Sequence, residues 1–186
     1  MAFPYHSDMT VEEYLRLDER DENVRYEYVD GQIRMLAGGT PNHAQISANF
    51  ISLLYFPLEG KGCRIFTSDV YARLSETRYV HPDVVVSCDE RDRRQKKVIQ
   101  YPRIIVEVLS PGTESYDRRQ KFTYYQSYAS LQEYVLVDAE QQWIELFRRE
   151  SNNLWSYHTF GPDSEVELTS VGAHFPIASV YRDVDF

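Results

Sequence analysis

A chain of 186 residues, 42% hydrophobic and 26% charged, has the composition of a folded globular protein rather than a disordered segment, and it is long enough to bury a substantial core. Its formal net charge of −9 and pI near 5.0 exclude nucleic-acid binding driven by overall charge, though not a local basic patch. No signal-peptide pattern opens the chain, and no apolar run approaches the ~20 residues of a membrane span. Cys63 and Cys88 are too few for a disulfide scaffold and lack metal-motif spacing, so both are expected to be reduced thiols in a cytoplasmic protein. No repeat or Pro/Gly/Ser-rich linker divides the sequence, and one domain over residues 1–186 is expected.

In chain order, Thr10 followed by Glu13 reads as a capping box, opening a helix with Val11, Tyr14, Leu15 and Leu17 on its buried stripe. Two alternating runs, Tyr26–Val29 and Gln32–Leu36, flank Asp30-Gly31, the signature of a tight hairpin. Glu27 lies in the first run. It is read either as a solvent-facing acid on an edge strand or as a metal ligand, direct or supporting. A loop, 37–41, leads to a helix from about Asn42 with Ile46, Phe50, Leu53 and Leu54 on its apolar face. His43 in its first turn has the ordinary reading of a capping or surface residue. Residues 63–74 read as one strand interrupted by Asp69, and 80–87 as a second, with Pro82-Asp83 at its mouth and a Val84-Val85-Val86 run buried on both faces.

The stretch 89–100 is charged. Arg91, Arg93, Arg94, Lys96 and Lys97 form either a solvated segment or a phosphate-contacting patch. Further on, 133–138, 143–148 and 154–160 alternate as antiparallel strands joined by polar turns, and the tail from Val166 to Ile177 is expected to close a sheet edge.

Residues 101–128 organise the chemistry. An apolar strand, Ile104–Leu109, carries Glu107 in its middle, and a Ser-Pro-Gly-Thr turn leads to a helix bearing Asp117 and Lys121. A carboxylate in a buried strand is costly unless a metal, a cation or a hydrogen-bond shell compensates it. Phosphodiester hydrolysis requires a nucleophilic water, neutralised phosphoryl charge and help for the leaving oxygen. Mg²⁺ held by carboxylates can meet all three needs. Asp83 and Glu107 fit as ligands if their strands pair, with the Val108 carbonyl as an added donor. Lys121 would orient or deprotonate the attacking water, or stabilise developing charge. Asp117 and Lys121 are i and i+4 on one helix face, a spacing also met in ordinary surface salt bridges.

Pro82-Asp83, then Glu107 in IVEVLSPGT, then Asp117 with Lys121, resemble the Uma-two family of endonucleases, long a domain family of unknown function. RYEYVDG, TPNH, SDVYARL and EYVLVD resemble it too, and the similarity runs from about Arg25 to Arg148. The resemblance implies an α/β (mixed α+β) restriction-endonuclease-like fold. That is a central mixed sheet flanked by helices with additional antiparallel strands and a D…E-x-K type site. By position it makes Asp83, Glu107 and Glu27 ligands of Mg²⁺ or Mn²⁺ and Lys121 the catalytic lysine, with Asp69 and His43 at positions of less defined role. Leu109 stands where the general motif has its lysine, so the resemblance moves that lysine onto the following helix. DNA is the implied substrate, Arg93, Arg94, Lys96 and Lys97 the candidate contacts, and a homodimer the arrangement that would cut both strands. The competing reading is a non-catalytic module that binds nucleic acid or protein. No Gly-x-Ser-x-Gly elbow supports a serine hydrolase.

Overall fold

The computed structural model describes residues 4–5, 8–20, 24–36, 38–95 and 97–186. Strand β1 (Pro4–Tyr5) pairs with β3 (below), and helix α1 (Val11–Arg20) starts at the expected box. There the Glu13 N–H donates to Thr10 Oγ1 (3.3 Å), and the Thr10 N–H donates to the Glu13 carboxylate (2.8 Å). Tyr14 is buried under this helix, with Val11, Leu15 and Leu17 packed around it. Strands β2 (Tyr26–Val29) and β3 (Gln32–Met35) form the hairpin. Asp30 and Gly31 both have positive φ (49° and 91°), as a primed turn demands. Helix α2 (Pro41–Leu58) is capped by Thr40, whose hydroxyl accepts the His43 N–H, and it buries Ile46, Phe50 and Leu54 at helical spacing.

Strands β4 (Arg64–Thr67), β5 (Tyr71–Ser75), β6 (Arg78–Val80) and β7 (Val84–Ser87) follow. A 3₁₀ turn (Glu90–Arg94) and β8 (Val98–Ile99) precede the long strand β9 (Pro102–Leu109). A helix over 114–126 leads to β10 (Glu133–Asp138), β11 (Ile144–Arg149) and β12 (Trp155–Phe160). The chain closes with β13 (Glu165–Leu168), β14 (Ala173–Pro176) and one helical turn, Ile177–Val180.

The central sheet has the order β12-β11-β10-β9-β7-β4, with β9 and β10 parallel and the remaining pairs antiparallel. A second sheet, β1-β3-β2-β6-β5-β8, holds the hairpin. The pleat of β9 explains the layering. Ile104, Val106 and Val108 face α2 in one core, and Ile105 and Leu109 face Tyr125, Tyr134 and the second sheet in another. With both faces covered, the Val84–Val86 run is buried throughout.

Four expectations are corrected. The strand read over 63–74 is two strands in different sheets, and so is that over 80–87. The chain crosses between sheets at 68–70 and at 81–83, the points occupied by Asp69 and Asp83. Cys63 and Cys88 form a disulfide rather than free thiols, because the antiparallel register that pairs Arg64 with Ser87 sets the two cysteines side by side. The tail does not close a sheet edge. β13 and β14 form their own ribbon, whose Val166, Leu168 and Phe175 join the α2 core.

Candidate active site

β7 and β9 pair antiparallel, with Val84 opposite Val106. One step further brings Asp83 opposite Glu107, as the sequence reading required. Asp83 lies just beyond the sheet end, and its Oδ2 accepts the Val108 N–H at 2.7 Å. Val108 thus contributes its N–H to Asp83, while its carbonyl faces His43 on the same side. His43 Nε2 lies 3.2 Å from the same Oδ2, so His43 leaves its expected capping or surface role and faces the site from the first turn of α2. Burial works against a charged imidazole there, but Asp83 outweighs it and the His43 pKa is raised.

Glu107 points from the middle of β9 toward the 114–126 helix, and it is buried. Its Oε1 accepts from Lys121 Nζ (3.0 Å) and from the Tyr125 hydroxyl (2.9 Å). Lys121 also lies 2.9 Å from Glu27 Oε1 and 3.3 Å from Asp117 Oδ1. All four residues of this knot are at most 4% exposed, so the Asp117–Lys121 pair is no surface salt bridge. The bland reading of Glu27 fails as well. β2 is an interior strand between β3 and β6, and the Glu27 carboxylate is held by the ammonium and by the His81 N–H (3.2 Å). The helix carrying Lys121 has a π turn over Asp117–Lys121 between α-helical ends at Glu114–Tyr116 and Phe122–Gln126. Such turns concentrate at functional sites, where they re-aim side chains at the expense of regular backbone pairing.

One ammonium thus faces three buried carboxylates, with Asp83 a fourth acid nearby. Burial raises the Glu107 pKa well above the ordinary carboxylate value. Lys121 pulls it down, and Asp117, Asp83 and Glu27 push it further up. Asp117 is raised for the same first reason, with Lys121 opposing. For Lys121, burial disfavours the charge, but Glu107, Glu27 and Asp117 outweigh it and the ammonium is held well above its usual range. The centre is short of positive charge. Its donors are carboxylate oxygens, the set that suits a hard divalent cation, although no cluster of three or more His, Cys, Asp or Glu side chains among the described residues is arranged as a ready-made metal cage. Among the described residues no hydrogen bond reaches Asp117 Oδ1, and its contact with Lys121, at 3.3 Å, is a longer electrostatic one.

Other expected residues lie apart. Asp69 is exposed and engaged by Arg25 and by Thr67 Oγ1 (2.9 Å). The basic run follows the far end of β7 from Asp83, and two of its arginines have acidic partners close by. Arg91 pairs with Asp89 (2.7 Å), and Arg93 lies 3.5 Å from Glu90. Lys96 is outside the described residues. Sequence reasoning missed Tyr125 and His81. The first was findable as the next i+4 step after Asp117 and Lys121, and the second as the residue before Pro82-Asp83.

The sequence matches the Uma2 family profile, described as "Putative restriction endonuclease", over residues 11–178. The uncharacterized protein slr1290 of Synechocystis is 38% identical over 96% of this chain and 94% of its own length. A second uncharacterized Synechocystis protein, sll1609, is 31% identical over 87% of this chain and 93% of its own. A crystal structure described as a "putative nuclease belonging to DUF820" from Anabaena variabilis superposes with a TM-score of 0.77 at 19% identity, covering 94% of this chain and 98% of that one. At that identity the likeness establishes a shared fold, the mixed α/β fold of restriction-endonuclease-like proteins.

Proposed function

Because this chain belongs to the Uma2 family, we propose that it is a nuclease-like hydrolase of phosphodiester bonds whose centre is the Glu27–Asp83–Glu107–Lys121 constellation. The observation that carries this reading is the buried ammonium shared by Glu27, Glu107 and Asp117. A purely structural role needs one acid per cation, and the surplus of acid is explained if the centre takes up further positive charge. In this reading Asp83 and Glu107, with Glu27, hold Mg²⁺ or Mn²⁺. When bound, such an ion supplies a water of lowered pKa and neutralises phosphoryl charge. Lys121 donates to the attacking water or to a non-bridging oxygen, and Tyr125 keeps Glu107 turned toward it. His43 and Asp83 line the approach, since both are partly exposed. The substrate is DNA.

A second reading, a binding module without catalysis, is favoured by the net charge of −9 and by the local pairing of Arg91 and Arg93. A cleavage panel separates them: duplex, single-stranded and branched DNA, and RNA, with Mg²⁺, Mn²⁺ or EDTA, using wild type beside Lys121→Ala purified identically. Metal-dependent cutting lost in the variant is the expected result. Equal traces in both proteins, or none on any substrate, would return the chain to the binding-module reading.

A further inference from the structure

Next to the acid centre the face of the β2–β3 hairpin meets the 114–126 helix, and a small cleft of about 50 Å³ lies between them. Glu27 and Arg34 are direct cross-strand partners on this face. An acid and an arginine so placed ordinarily pair. Here Glu27 turns instead to Lys121 and the His81 N–H, and Arg34 has no carboxylate within 4.0 Å among the described residues. Its guanidinium lies 3.6 Å over the Tyr116 ring, and Lys121 Nζ is 5.7 Å from the same ring. Stacking fixes the plane of a guanidinium while leaving its N–H edge free. Burial, then Glu27, raises the Tyr116 pKa, so the phenol stays neutral and gives Arg34 no charge of its own. The result is a partly buried, oriented cation without an anion, one aromatic ring away from the proposed catalytic lysine.

A guanidinium held flat over a ring, with its N–H edge free and no carboxylate partner, matches the oxygens of a phosphate group, and the cleft beside it is open to receive them. Stacking of a base on the face of Tyr116 covered by Arg34 is blocked. We propose that this cleft is a phosphate subsite, in which Arg34, steadied by Tyr116, forks onto a backbone phosphate of the nucleic-acid strand beside the scissile linkage. The inference rests on the nuclease reading and extends it, because it assigns a strand-positioning contact outside the acid centre. Gln32 and Gln120, exposed at the rim, supply neutral hydrogen-bond partners for the same strand.

The test is binding of a fluorescein-labelled duplex and of its single strand, read by anisotropy in EDTA across a NaCl series. The proteins are wild type, Arg34→Ala, Arg34→Met and Arg34→Lys. Arg34→Met keeps the aliphatic stem over Tyr116 and guards against simple loss of packing. Loss of one phosphate contact should lower the slope of log affinity against log salt by about 0.9 on the duplex and weaken binding about tenfold. Arg34→Lys should restore the slope but only part of the affinity, because the fork is gone. With Mg²⁺ added, the loss in cleavage should fall more on KM than on kcat. Wild-type affinity and slope in Arg34→Ala and Arg34→Met would overturn the subsite while leaving the nuclease reading intact, provided wild type cuts and Lys121→Ala does not. No binding or cutting of any nucleic acid by wild type would overturn both.

Discussion

Glu133 and Glu107 sit on adjacent strands of one sheet, both buried, on opposite faces, yet they are stabilised in different ways. Glu133 on the α2 face accepts from Arg148 Nε (3.0 Å), from the Thr169 N–H (3.0 Å) and from the Ser170 N–H (3.2 Å), with both hydroxyls adding to the shell. One acid there has one cation and a full set of donors, and it ties the β13–β14 ribbon to the sheet. Glu107 shares its cation with Glu27 and Asp117. Burial of a carboxylate therefore does not by itself mark a site. The ratio of acids to donors does, since a satisfied acid is an anchor and an over-subscribed one is a place for incoming charge.

The largest effect that tests this contrast is expected at Lys121. Lys121→Ala should lower cleavage at least about 10²–10³-fold. It should also destabilise the metal-free protein by about 3–5 kcal/mol, as removal of the sole cation from buried acids does. Chemical denaturation with and without Mg²⁺ reads the second half, and the divalent ion should recover part of the loss. Glu133→Ala should cost about 3 kcal/mol by taking the carboxylate from Arg148 and the acceptor from two N–H groups, with no recovery in Mg²⁺. If divalent ions rescue both variants equally, the distinction between anchor and site collapses.

The pH dependence is smaller. Glu107 has a folded pKa raised above 4.5, from burial first, so the folded state keeps a proton that the unfolded chain releases. Its contribution is fully present below the unfolded value and is lost as pH rises through the folded one. In EDTA the urea midpoint of wild type should therefore fall as pH rises above the ordinary carboxylate range, and Glu107→Gln should flatten that decline. A parallel decline in Glu107→Gln would assign the slope to another group. Least affected should be the basic run. Neutralising Arg93, Arg94 and Lys97 should change stability by a few tenths of a kcal/mol, as for exposed pairs. A loss of the DNA salt slope in that variant would restore the run as a phosphate contact.

Much of the centre was legible in the sequence because its signals are local. An acid inside an apolar strand, Pro-Asp at a strand mouth, and Asp117 with Lys121 four apart each carry a physical reason to meet. The hairpin was legible for the same reason, through Asp30-Gly31. The features that escaped are those set by distant pairing. An alternating pattern resumes after Asp69 within 63–74, and an apolar run follows Pro82-Asp83 within 80–87, so neither pattern reveals that the chain changes sheets at those points. Glu27 read equally well as an edge acid, since only β6, some fifty residues on, covers its other side. The cysteines became partners through the β4–β7 register, which no spacing rule encodes.

Glu27 belongs to one sheet, Glu107 to the other, and Lys121 touches both. The lysine is thus a rivet between two hydrogen-bonded ladders as well as a chemical group. Whatever draws its ammonium toward a new anion, or offers the acids another cation, changes how firmly those ladders are fastened together. Occupancy of the centre and the mechanical docking of the sheets are coupled, and the hairpin that carries Arg34 is the part of the molecule positioned to feel it.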